Sequence, residues 1–152
     1  MKQKIDKQCA EIITHKSILL DDKETKSQSK MYLLNADEKG VIKIQIDGCD
    51  DDFEGERCDW LAIVKDKDEK NNVVGIGHFV ELKGSNVKKA CEQLENSIEK
   101  VVKSEMTKVK FAFAITSKVA PATNTIIQNH KERFAKKGIK LEVKNSGYKF
   151  KI

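Results

Sequence analysis

The chain has 152 residues, 39% hydrophobic and 35% charged, with one proline. That composition fits a single folded domain (1–152) whose core needs no disulfide or metal staple, and it excludes a disordered chain. Net charge is +5 but uneven: residues 1–76 carry 13 Lys and Arg against 17 Asp and Glu, and residues 77–152 carry 16 against 7. A basic half is compatible with a polyanion partner. No apolar run approaches a signal h-region or a membrane span, so no membrane is expected and cytoplasm is the default location.

In chain order, Ile5, Cys9, Ile12 and Ile13 recur at helical spacing, which predicts an amphipathic helix over Lys2–Ser17. "LLDDKETKSQSK" reads as a polar loop. In "GVIKIQIDG" Ile42, Ile44 and Ile46 alternate with Lys43 and Gln45, a half-buried strand. "WLAIV" and "VVGIGHFVEL" are β-rich and joined by "KDKDEKNN", which predicts a hairpin. From Asn86 to Ser104 the period changes: Val87, Ala90, Cys91, Leu94, Ile98, Val101 and Val102 mark one face of a long helix, with Ser85 or Asn86 as N-cap. "VKFAFAIT" is a strand, "NTIIQNHKERFAKKG" a helix stopped at Gly138, and "IKLEV" and "YKFKI" are short closing strands. The expected fold class is α/β, a mixed central β-sheet flanked by helices.

Within the hairpin, "HFVELKG" places Glu81 and Lys83 inside an apolar run, where an unpaired charge is costly. A register in which Asp59 faces Glu81 centres the turn at Lys70, where the sequence wants one. Opposed residues on neighbouring strands stand about 4.5–5.5 Å apart at Cβ, so two carboxylates and an ammonium would meet at one end of the hairpin. Two such carboxylates repel unless a cation joins them. Mg²⁺ or Mn²⁺ suits the set, taking Asp59, Glu81 and a backbone carbonyl such as that of Leu82, with positions left for water and substrate phosphate. Lys83 could then orient or help deprotonate a water and neutralise charge on phosphorus, a hydrolytic site for a phosphodiester.

The pattern "D…ExK" on two strands, followed by an amphipathic helix, resembles the PD-(D/E)XK or restriction-endonuclease-like nuclease superfamily, through Asp59 in "RCDWLAI" and Glu81 and Lys83 in "FVELKGS". "CDWLAIV" followed by "FVELKGSNVKKACEQLENSI" looks like its small stand-alone members, although Cys58 stands where the name-giving proline would be. The resemblance implies an α-β-β-β-α-β core and Mg²⁺-dependent cleavage of nucleic acid, DNA ahead of RNA, with both acids on the metal and the lysine at the water. It implies further an acid from the first helix, for which Glu11 is the candidate, and a glutamine facing the site, for which Gln93 is. Many such nucleases pair up, so a homodimer is an option, though no heptad decides it. The alternative is a non-catalytic nucleic-acid- or protein-binding member of the same fold, an accessory or immunity component.

Other candidates carry less. "DDDFEG" begins like an EF-hand loop, but the twelfth position is Leu61 rather than a bidentate glutamate. His15, His78 and His130 have no partner at metal spacing and read as surface or packing residues, His78 pointing away from Glu81. The glycines of "GIGH" read as strand glycines that permit close packing. Cys9, Cys49, Cys58 and Cys91 form no CxxC pair and read as reduced small hydrophobes. Lys131, Arg133, Lys136, Lys137 and Lys140 form a basic cluster that could hold a phosphate backbone.

Overall fold

A computed structural model of the chain describes residues 3–4, 9–21, 29–47, 57–83, 86–102, 104–117 and 124–152. Its strands are β1 (Gln3–Lys4), β2 (Ala10–Ile13), β3 (Ser17–Asp21), β4 (Lys30–Leu34), β5 (Val41–Gln45), β6 (Trp60–Lys67), β7 (Val73–Lys83), β8 (Val101–Val102), β9 (Lys108–Thr116), β10 (Lys140–Asn145) and β11 (Tyr148–Lys151). Two helices, α1 (Val87–Lys100) and α2 (Asn124–Ala135), complete the described elements. The chain is mixed α/β and strand-rich.

The hairpin is the frame of the molecule. β6 and β7 pair antiparallel from Trp60↔Val80 to Lys67↔Val73, the register expected from the sequence. Asp68 builds the turn: its Oδ1 accepts the N–H groups of Lys70 and Asn72, both at 2.9 Å, while Asn71 takes φ 65°. An Asx-type turn with an asparagine in the left-handed region is what "DEKNN" favours. Gly75 is required where it stands, since a Cβ there would lie 1.9 Å from the Glu105 carbonyl oxygen.

Around the hairpin runs a six-stranded sheet, order β10-β9-β7-β6-β5-β2, antiparallel from β2 to β7 and parallel from β7 to β10. α1 carries the chain from β7 to its parallel neighbour β9. Asn86 caps α1, its Oδ1 accepting the Lys89 N–H at 3.0 Å. Alternation sorts the sheet's side chains onto two faces. Leu61, Ile63, Phe79, Ala112 and Ala114 meet α1 and α2 through Val87, Cys91, Leu94 and Phe134. Trp60, Ala62, Val64, Val80, Leu82, Phe113 and Ile115 meet a second sheet, order β11-β4-β3, through Ile18, Leu20, Met31 and Leu33. Each large side chain so buried contributes about 1.5–3 kcal/mol. Trp60 fastens the two sheets by donating its indole N–H to the Asp21 carbonyl at 2.8 Å.

The N-terminal expectation is corrected. Ala10–Ile13, assigned above to a helix over Lys2–Ser17, is an edge strand pairing antiparallel with β5, Glu11 opposite Lys43. Ile12 and Ile13 are β-branched and favour a strand where an open edge is offered. β3 and β4 emerge where a polar loop or no element was expected. The long helix ends at Lys100, because Val101 turns to extended backbone (φ −87°, ψ 123°) and β8 pairs with β1. Cys9 is disulfide-bonded, which departs from the all-reduced reading, whereas Cys58 and Cys91 are free and buried. The acidic stretch "DDDFEG" and Ser85 lie outside the described residues.

Candidate functional site

One rung past Trp60↔Val80, Asp59 stands beside Glu81 at the end of the hairpin. Strands on both sides fix its backbone: its N–H donates to the Val80 carbonyl at 3.1 Å, and its own carbonyl accepts the Ile46 N–H at 3.0 Å. Its Oδ2 accepts the Leu82 N–H at 2.8 Å. Glu81 shares the face of Phe79, toward α1, and is 3% exposed. Its Oε1 is buried with no hydrogen-bond partner among the described residues. Lys83 follows on the same face with Nζ 3.8 Å from Glu81 Oε2, an ion-pair contact longer than a hydrogen bond. The Lys83 carbonyl is held by the Ser29 hydroxyl at 2.9 Å and the Ser117 N–H at 3.1 Å, so the strand is pinned and the ammonium extends from it.

The electrostatics follow from burial. Removal from water pushes the Glu81 carboxyl up to about 10, the Asp59 carboxylate beside it and a hydrogen bond between the two acids push the same way, and Lys83 opposes them. Without another cation, Glu81 therefore keeps a proton that it donates to Asp59. The Cys58 thiol is pushed well above its ordinary value, first by burial, and stays protonated.

Helix α1 closes the site from the other side. Gln93 turns toward the strand end, its Nε2 donating to the Arg57 carbonyl at 3.4 Å, while its Oε1 is buried without a hydrogen-bond partner. One turn on, the Ser97 hydroxyl accepts the Cys58 N–H at 2.7 Å and is fully buried. Ser97 was not singled out in the sequence, although a serine three residues after Leu94, on an otherwise apolar stripe, is the signal that could have found it.

These oxygens fit a hard divalent ion in kind: two carboxyl groups lie side by side where burial and their mutual repulsion oppose charge, and one carboxyl oxygen is buried without a partner among the described residues. Among the described residues no group of three or more His, Cys, Asp or Glu side chains gathers. The pair would have to be completed by a backbone carbonyl such as that of Leu82, by water or by substrate. Glu11, expected here on a first helix, instead sits exposed on edge strand β2 opposite Lys43.

His78 points to the face opposite Glu81. It stacks on Phe111 with ring centroids 4.9 Å apart, and its Nδ1 lies 2.9 Å from the Ile76 carbonyl. Burial holds it down at about 4, so it is a neutral packing ring. The basic cluster is largely committed to neighbouring acids. Arg133 reaches Glu95 at 2.6 Å, Lys137 reaches Glu95 at 3.4 Å and Glu99 at 3.2 Å, and Lys140 reaches Glu142 at 3.3 Å. Of the five cations, Lys131 and Lys136 have no ion pair among the described residues. The groove between α1 and α2, of about 610 Å³, is walled by Glu92, Glu95, Glu99, Asn129, His130 and Arg133 among others, and none of Asp59, Glu81 and Lys83 lines it. No helix of the described chain is long and apolar enough to cross a membrane.

No protein-family model, no curated protein and no solved structure matches this chain.

Proposed function

We propose that this chain is a Mg²⁺- or Mn²⁺-dependent nuclease of the restriction-endonuclease-like type, hydrolysing phosphodiester bonds of nucleic acid, with DNA the first substrate to test and RNA the second. The observation that carries the reading is the buried acid pair: Asp59 and Glu81 stand side by side at the end of β6 and β7, and one Glu81 oxygen has no hydrogen-bond partner among the described residues. A buried acid arranged in that way destabilises the apo protein, and such groups cluster at sites that use them. The run β5-β6-β7-α1-β9, an antiparallel meander joined through a helix to a parallel strand, supports the same reading at the level of topology.

Asp59 and Glu81 would hold the ion, with the Leu82 carbonyl as a further oxygen. When bound, such an ion supplies a Lewis acid for the phosphate and a water of lowered pKa. Lys83 stands beside the acids, where its side chain would offset charge that develops on phosphorus and orient the attacking water. Gln93 offers a buried amide oxygen beside the same strand end. Lys131 and Lys136 are the cations of the basic cluster that a nucleic-acid backbone could engage.

A second reading has a specific observation behind it. Lys83 lies 3.8 Å from Glu81, and no third acid joins the pair among the described residues, which favours a non-catalytic member that binds a polyanion without cutting it. Cleavage separates the two. Purified protein with Mg²⁺ or Mn²⁺ and mixed DNA and RNA substrates should cut, and Asp59→Ala and Lys83→Ala should each abolish cutting. A wild-type protein that binds nucleic acid without cutting it supports the second reading, and cutting that survives in both variants removes the site.

A further inference from the structure

β6 begins at Trp60, and the last ladder bonds reach Asp59; at Arg57 and Cys58 the chain leaves the sheet. Strand ends open from their last rung, where each broken bond is replaced by water at little cost. Asp59 therefore stands at the point of the hairpin most exposed to fraying, while its task needs a side chain held to within about 0.5 Å. Something outside the sheet has to hold the residue before it.

Ser97 meets that need. It lies on the buried stripe of α1 with Val87, Ala90, Cys91 and Leu94, the one polar residue of that buried set. Its hydroxyl accepts the Cys58 N–H at 2.7 Å, across 39 residues of sequence. Alanine would fill the helix position at better propensity, but it would leave the buried Cys58 N–H without an acceptor. The Cys58 thiol donates along its own chain, to the Trp60 carbonyl at 3.7 Å, so the backbone N–H is the group of Cys58 that the helix holds. Gln93, one turn earlier, donates to the neighbouring Arg57 carbonyl.

The structure assigns Ser97 as a positioning residue: from helix α1 it clamps Cys58 and so keeps the Asp59 carboxylate on the Leu82 N–H, beside Glu81. The bearing of this clamp on catalysis rests on the reading of Asp59 and Glu81 as cation ligands; the clamp itself does not.

Amide hydrogen exchange followed by NMR tests it without any metal. In Ser97→Ala, protection at Cys58, Asp59 and Leu82 should fall at least tenfold, while Ile63 and Ile76 in the middle of the hairpin keep theirs. Ser97→Thr, which retains the hydroxyl, should restore it. Should Ser97→Ala not fold, Ser97→Cys keeps the size with a much weaker acceptor and should give the same local loss. Unchanged protection at Leu82, or a loss spread equally over the hairpin, overturns the assignment. A Mn²⁺ titration of the same proteins keeps the two ideas apart. If the exchange pattern is local and wild type takes up Mn²⁺, Ser97→Ala should bind it at least fivefold more weakly. If wild type takes up none, the nuclease reading falls and the exchange pattern still decides the clamp.

Discussion

His78 and Glu81 stand three residues apart on one strand, and each is 3% exposed. They are buried on opposite faces of the sheet and solve the problem of burial differently. His78 loses its charge, bonds a carbonyl of its own strand and is packed by Phe111, Phe113 and Phe150. Glu81 keeps a proton at about 10, faces a second carboxylate and leaves an oxygen unpaired. A polar residue whose hydrogen bonds close locally is part of the packing; one whose bonds do not close among the described residues calls for another explanation, which the proposed cation supplies at Glu81.

The strongest way to break this contrast is Glu81→Gln. The amide keeps the shape but cannot bind a cation as a carboxylate does, so cleavage should fall by about a thousandfold or more, measured as kcat/KM at fixed Mn²⁺. The same change should leave the apo protein more stable at pH 8 in a urea titration. The native Glu81 carboxyl has a raised pKa, so its favourable contribution is complete below the unfolded value near 4.5 and is lost as pH rises toward 10. Glutamine removes that slope.

On the other face, His78→Ala should cost about 2–4 kcal/mol of stability by opening a cavity among the aromatic rings, with Mn²⁺ uptake unchanged. A fall in uptake equal to that of a site residue would erase the distinction between the faces. The pH dependence is opposite in sign to that of Glu81. The folded pKa of His78 is depressed from 6.5 to about 4, so the unfolded chain takes up a proton first, and stability should drop by about 3 kcal/mol as pH falls through that window. His78→Phe should abolish that drop, as read by chemical denaturation at several pH values. The smallest effect is expected at Gln93. Its bond to Arg57 is long, at 3.4 Å, and Gln93→Ala should lower kcat/KM by about tenfold or less.

The hairpin was legible because three signals agreed: two β-rich runs, turn-forming residues between them around Lys70, and charges that this register brings together. Glycine spacing told the same story, since Gly75 leaves room for the Glu105 carbonyl. The N-terminal part was not legible, because Cys9, Ile12 and Ile13 suit a helical stripe as well as a strand, and the choice was made by the free edge of β5. Ile18, Leu20, Met31 and Leu33 do alternate inward, but their runs are short and adjoin charged residues, so they carried no strand signal alone. The pairing within the basic cluster was not legible for a different reason. Counting lysines cannot reveal that Glu95 and Glu99 on α1 lie across from Arg133 on α2 and Lys137 just beyond its end.

The most direct measurement is a calorimetric titration of Mn²⁺ into the wild-type protein and into Glu81→Gln, repeated in buffers of different ionisation enthalpy. Saturable uptake at a single site, accompanied by proton release and absent from the variant, is the expected result, since burial raises the Glu81 carboxyl to about 10 and the ion must displace its proton. No uptake by wild type, or equal uptake by both proteins, would contradict the account.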